Sequence, residues 1–238
     1  MSKPSLIHYV LLILVLAWDC DKRQVEAVDF DHFKLVFQWP VTFCEIHKFK
    51  CVPQPPHHWT VHGFWPSNFN GNPVSDCSTE PFKENQISSD TKKHMNRIWP
   101  NLYKNGLHTQ LWSRQWKKHG TCADVPGTRT VGEYFTKAIE LANRYNISGI
   151  LEKNHINKGS VYKLPFIEDA IKIRTGYKPN IQPTSKKENL KPPRLFEIRI
   201  CFNKTFHGID CGAGNMYGGN VLYPQRQTSP PYGKICPK

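Results

Sequence analysis

The sequence is short of acid and carries no paired-cysteine metal signature. Nineteen Asp and Glu stand against 32 Lys and Arg in 238 residues, a formal net charge of +13 with a pI of about 9.4. That imbalance favours polyanionic partners through phosphate contacts and counterion release. Nucleic acid, cell walls and anionic glycans all remain open on charge alone. Eight cysteines include no Cys-x-x-Cys pair. A zinc-finger reading is therefore poor, and disulfides in an oxidising compartment are favoured. There is no internal repeat and no linker long enough to divide the chain, so one domain is expected. Hydrophobic residues make up 39%, enough to build a core, which sets a disordered polymer aside.

One long apolar run is present, and it lies at the start. Ile7 to Trp18 is uninterrupted by charge and follows Lys3. A relaxed membrane span needs roughly 20 residues, so this run suits a signal-peptide core, with Val25 and Ala27 as the small-residue cleavage site. The alternative is an N-terminal anchor. Residues 1–27 hold three basic and three acidic residues, so the whole net charge belongs to the expected mature domain, 28–238. No later segment is apolar enough to span a bilayer. The expectation is a secreted, extracellular, soluble protein. Sequons at Asn146 and Asn203 fit a glycoprotein.

The local patterns mix strands and helices. Phe33 to Trp39 is β-rich and stops at Pro40, and Trp59 to Trp65 is a second extended run. Leu107 to His119 has helical spacing, with Gly120 just beyond it. Thr130 and Glu133 form a capping box for a helix reaching about Tyr145. Pro165 suits the first turn of another helix, which Gly176 ends. Residues 177–194 are rich in proline and lysine and read as an exposed connection. Phe196, Ile198, Ile200 and Phe202 then alternate with Glu197, Arg199 and Cys201, a half-buried strand. The fold class is α+β: a single disulfide-bonded domain with a central antiparallel sheet flanked by helices.

Two segments carry candidate chemistry, WTVHGFWP (Trp59–Pro66) and LWSRQWKKHGTC (Leu111–Cys122). In the first, simple alternation points Thr60, His62 and Phe64 one way and Val61 and Gly63 the other. In the second, Leu111, Trp112, Gln115, Lys118 and His119 share a helical stripe whose polar end emerges at the C-terminus. The helix dipole favours a cation there by about 0.3–1 kcal/mol, which would help His119 hold a proton near neutral pH. Two histidines beside a lysine form the minimum kit for RNA strand scission. One ring takes the 2′-hydroxyl proton, the other protonates the departing 5′-oxygen, and the ammonium stabilises phosphorane charge. A metal site from His57, His58, His62 and His119 is disfavoured, because no carboxylate lies in or beside these segments. No cofactor is implied. The plain alternative is that His62 is an ordinary strand residue and Lys117 to His119 a solvated helix end.

The two segments resemble, in order, the active-site segments of the ribonuclease T2 family, with Phe64 where a leucine is usual. FQWP followed by Cys44, IWPNL at Ile98–Leu102 and IRICFN at Ile198–Asn203 match the same family in the same order. The resemblance implies an endoribonuclease that cleaves single-stranded RNA, not DNA, as a monomer away from membranes. Carried over by position, His62 and His119 are catalytic, with His119 as base and His62 as acid, and Lys118 is the supporting cation. Gln38 matches a base-site glutamine, Trp65 a site wall, and Trp59, Trp112 and Trp116 core residues. The family often has histidine then glutamate where this chain has Arg114 and Gln115. Gln115 keeps hydrogen bonding without the carboxylate, and Arg114 would supply a permanent cation to phosphate. Reduced or shifted activity is the expectation.

The resemblance also implies the bridges Cys44–Cys51, Cys77–Cys122 and Cys201–Cys236, leaving Cys211 free. Strong basicity and the changes at Arg114 and Gln115 make the chain most similar to stylar S-ribonucleases of self-incompatibility. That would imply pollen F-box partners, with Asn68–Ser78 and residues 83–95 as recognition surfaces. The alternatives are an S-like ribonuclease of defence, senescence or phosphate recycling, an inactive RNA-binding glycoprotein on the same fold, and a cell-wall binder held by charge.

Overall fold

The computed structural model describes residues 29–212 and 219–226. Alternating Phe33, Leu35 and Phe37 make β1 (His32–Gln38), whose other face carries Lys34, Val36 and Gln38. Antiparallel pairing sets β1 between β2 (Thr60–Ser67) and β5 (Leu195–Phe202). Phe33, Leu35 and Phe37 lie opposite Phe202, Ile200 and Ile198, so both strands turn the same apolar face inward. β4 (Asn180–Pro183) adds to the far side of β5, and the short β6 (Gly208–Ile209) pairs with its end, giving a five-stranded antiparallel sheet. A separate ribbon joins β3 (Val161–Lys163) to β7 (Asn220–Leu222).

Helices cover the apolar face. After α1 (Pro40–Ile46), α2 (Ser89–Ile98) begins at Ser88, whose hydroxyl accepts from the Thr91 N–H. The site helix α3 (His108–Lys118) follows. The capping box at Thr130 and Glu133 starts α4 (Val131–Asn143) as the sequence predicts. Then come α5 (Ile147–Lys153) and α6 (Leu164–Thr175), the latter closed by Gly176 at φ 83°. Trp99, Tyr134 and Phe135 have no exposed surface and pack on the sheet with Phe64 and Met95. Truncating such an aromatic to alanine costs about 3–5 kcal/mol.

Two expectations about the chain are corrected. The stretch 177–194 is not wholly an exposed connection: Ile181 is buried and β4 pairs with β5. Pro183 sits at the end of that edge strand, where a missing N–H is tolerated. The third bridge joins Cys201 to Cys211, with Cα atoms 5.1 Å apart, rather than Cys201 to Cys236. Strand pairing decides it, because β6 is hydrogen-bonded to the end of β5 and carries Cys211 alongside. Cys211 is thus not free, and Cys236 and the expected signal segment 1–27 lie outside the described residues. Cys44–Cys51 and Cys77–Cys122 are as expected.

Candidate active site

His62 reaches the site through a strand irregularity. On β1, Val36 pairs with Gly63 and Phe37 pairs with Val61, so His62 is the extra residue of a β-bulge. By plain alternation His62 would follow Phe64 into the core; the bulge gives that inward place to Val61 and releases His62 to the polar face. Bulges commonly re-aim side chains in this way beside active sites. The expectation that His62 and Phe64 share a face is therefore corrected. The Trp99 indole N–H, donating 3.1 Å to the His62 carbonyl, holds the backbone at this point.

Glu197 meets His62 on that face. The His62 Nδ1 lies 2.7 Å from Glu197 Oε1, while Glu197 Oε2 accepts from Arg199 Nε at 3.1 Å and Nη2 at 2.6 Å. Burial pushes the Glu197 carboxyl up, but His62 and Arg199 outweigh it and hold it below the usual glutamate range. With only 4% of its surface exposed, Glu197 is not the solvent-facing strand residue that alternation predicts. The readable signal was a carboxylate on a strand face in a chain poor in acid. Gln38, also buried, is the register partner of both Glu197 and Thr60, which puts it beside this pair.

His119 enters from the helix layer as the C-cap of α3, one residue beyond its last turn. The Cys77–Cys122 bridge and the Asp76 N–H, donating 2.9 Å to the Lys118 carbonyl, tie this helix end to the segment after β2. Burial lowers the His119 pKa to about 4, and the charges of Lys118 and His62 push the same way. Asp76 and the Val74 carbonyl favour the proton, but neither outweighs burial, and Nδ1 is buried with no hydrogen-bond partner among the described residues. The helix-dipole expectation of a protonated His119 at neutral pH is corrected. Desolvation is the larger effect, and the ring is neutral.

Trp65 joins the two halves. Its ring centroid lies 5.2 Å from that of His62 and 5.1 Å from that of His119, and it donates 3.0 Å to Gln115 Oε1. Gly63 makes room for this arrangement. A Cβ there would fall 1.9 Å from Trp65 Nε1 and 2.6 Å from Gln115 Oε1, so no larger residue fits. Lys118 is exposed and has no ion-pair partner among the described residues. Arg114, also exposed, lies one turn earlier on the same side of α3. Among the described residues it makes no hydrogen bond or ion pair with the other site residues. Trp59, Trp112 and Trp116 are core, as expected.

A family model for the Ribonuclease T2 family matches residues 30–211. The chain belongs to the ribonuclease T2 family. It is 35% identical over 224 residues to the extracellular ribonuclease LE of Solanum lycopersicum, covering 90% of this chain and 96% of that one. It is 30% identical over 231 residues to ribonuclease S-6 of Pyrus pyrifolia, covering 94% and 97%. The solved ribonuclease MC1 from bitter gourd seeds superposes with a TM-score of 0.73 at 28% identity, over 82% of this chain and all of that one. The protein is accordingly a T2-type endoribonuclease on the family's single-domain α+β fold. Its histidine-bearing segments are those that meet at Trp65.

Proposed function

We propose that the enzyme cleaves single-stranded RNA by transphosphorylation to a 2′,3′-cyclic phosphate, with His119 as the initial base and His62 as the initial acid. The contrast in surroundings carries this reading: one ring is desolvated and neutral, while the other faces a buried carboxylate. Such a split between two titratable groups is how acid and base roles are divided. His119, with Nδ1 buried, accepts the 2′-hydroxyl proton through Nε2. The 2′-oxygen bonds to phosphorus, and the bond to the 5′-oxygen breaks as His62 Nε2 delivers a proton to it. Lys118 stabilises the charge building on the non-bridging oxygens. Water then opens the cyclic ester with the two roles reversed. Trp65 walls the site between the rings, Gln38 lines the base end, Gln115 orients Trp65, and Arg114 meets substrate phosphate farther out.

Glu197 acts as a positioning residue. Its carboxylate keeps a proton on His62 Nδ1 and so directs Nε2 to the leaving group, a role carboxylates play for catalytic imidazoles elsewhere. DNA is not cleaved, because it has no 2′-hydroxyl. Rate measurements on RNA and DNA of one sequence test the reading; comparable cleavage of both would contradict it.

At the level of biology, we infer a secreted stylar ribonuclease of self-incompatibility, recognised by pollen F-box proteins. Strong basicity and similarity over 97% of the pear S-6 ribonuclease support this. The tomato extracellular relative supports an S-like role instead. Transcript measurement in style, leaf and root separates the two. Export after loss of residues 1–27, and glycans on Asn146 and Asn203, belong to the same proposal. Asn146 is exposed at the start of α5, and Asn203 caps a turn after β5.

A further inference from the structure

Lys34 is a recessed cation with no counter-charge among the described residues. It lies on the polar face of the sheet, paired in register with Trp65 on one side and Cys201 on the other. Among the described residues it has no side-chain hydrogen bond and no ion pair, and the charge that bears on it is that of another cation, Arg199. Arg199 pairs with Val36, two positions along β1, which makes the two basic residues diagonal neighbours on one face. The nearby carboxylate, Glu197, is already divided between His62 and Arg199. Burial and the Arg199 charge together hold the Lys34 ammonium below the usual lysine value. An uncompensated, partly desolvated charge is costly in a folded protein and is relieved by an anion.

The position of this pair relative to the histidines indicates which anion. The Trp65 ring contacts both catalytic rings, and the Arg199 guanidinium stands over it at 5.8 Å from the centroid. The basic pair therefore begins where the reacting groups end, on the same sheet face. Resting on the ribonuclease reading above, we propose that Lys34 and Arg199 form a second phosphate subsite, which holds a phosphodiester flanking the one being cleaved. Lys34 supplies a point charge. Arg199, already oriented by Glu197, adds the N–H donors that Glu197 leaves unused. The subsite makes the enzyme prefer strands long enough to carry a flanking phosphate.

The test compares a dinucleoside monophosphate, which has only the scissile phosphate, with a hexanucleotide of the same central step. The ratio of kcat/KM on the long substrate to that on the short one should fall about three- to tenfold in Lys34→Gln, and Lys34→Arg should retain it. Binding of a 2′-O-methyl hexanucleotide, which cannot be cleaved, is followed by fluorescence anisotropy across salt concentrations. Lys34→Gln should reduce the slope of log K against log salt by about 0.7, the value for one phosphate on a single strand. An unchanged ratio or an unchanged salt slope would overturn the subsite. Wild-type protein that cleaves neither substrate would overturn the ribonuclease mechanism, while the anisotropy series would still report on the subsite.

Discussion

His62 and Glu197 are joined by a 2.7 Å contact between Nδ1 and Oε1, across strands 135 residues apart in sequence. The bulge at Val36 and Phe37 makes the contact possible, because it turns His62 out of the core and onto the face that holds Glu197. Glu197→Gln keeps a hydrogen-bond acceptor but removes the charge. It should lower kcat by roughly 10–100-fold with little change in KM, the scale typical of partners that orient a functional imidazole. Steady-state kinetics on a short oligonucleotide check this. Full activity in a folded Glu197→Gln protein would make Glu197 a structural residue only.

Gln115→Glu should raise activity and move the acid limb of the pH–rate profile upward. Gln115 lies one helical turn before His119, and its Oε1 already accepts from Trp65. A carboxylate in the same place keeps that bond and adds a negative charge near His119, the proposed base, whose pKa burial has lowered to about 4. Raising that value toward the working pH strengthens the base. No gain at any pH between about 4 and 8 would show that the carboxylate common in the family has no counterpart role here.

Acid should destabilise the protein partly through His32. This ring is buried with both nitrogens unpaired among the described residues, stacks on Phe69 at 4.3 Å, and has its pKa lowered by burial to about 4 from 6.5. The unfolded chain binds the extra proton between those values. The stabilising contribution is therefore complete above 6.5 and is lost as pH falls through about 4. His32→Phe should shrink the drop in melting temperature between neutral pH and the low end of that window. An identical drop in both proteins would contradict this.

Alkylation of the denatured, unreduced protein should leave Cys201 and Cys211 unlabelled, since they are bridged. Peptide mapping that finds label on Cys211 would restore the Cys201–Cys236 pairing.

The two histidine-bearing segments and the capping box were legible as elements because each rests on short-range pattern: a run on one strand, a stripe on one helix, a cap four residues long. What escaped depended on pairing between distant strands. Alternation along Trp59–Trp65 put His62 with Phe64, and only its register against β1 reveals the extra residue. Glu197 read as a solvated strand position, yet the sheet and His62 bury it. β4 was hidden by prolines and lysines that suit an edge strand as well as a loop. Cys211 found its partner through β6, which is two residues long. His119 was misjudged for another reason: the dipole effect follows from sequence, whereas the larger desolvation depends on the packed tertiary site.

Two-histidine transphosphorylation leaves a chemical signature in the ends of cleaved RNA. Wild-type protein and the His62→Asn and His119→Asn variants are incubated with a defined oligonucleotide in EDTA, and the products are resolved by mass spectrometry. The wild type should give 5′-hydroxyl fragments and 2′,3′-cyclic phosphates that later open to 3′-phosphates. Each folded variant should be slower by at least about 10²-fold. Fragments ending in 3′-hydroxyl and 5′-phosphate, loss of activity in EDTA, or a variant turning over at the wild-type rate would contradict the account.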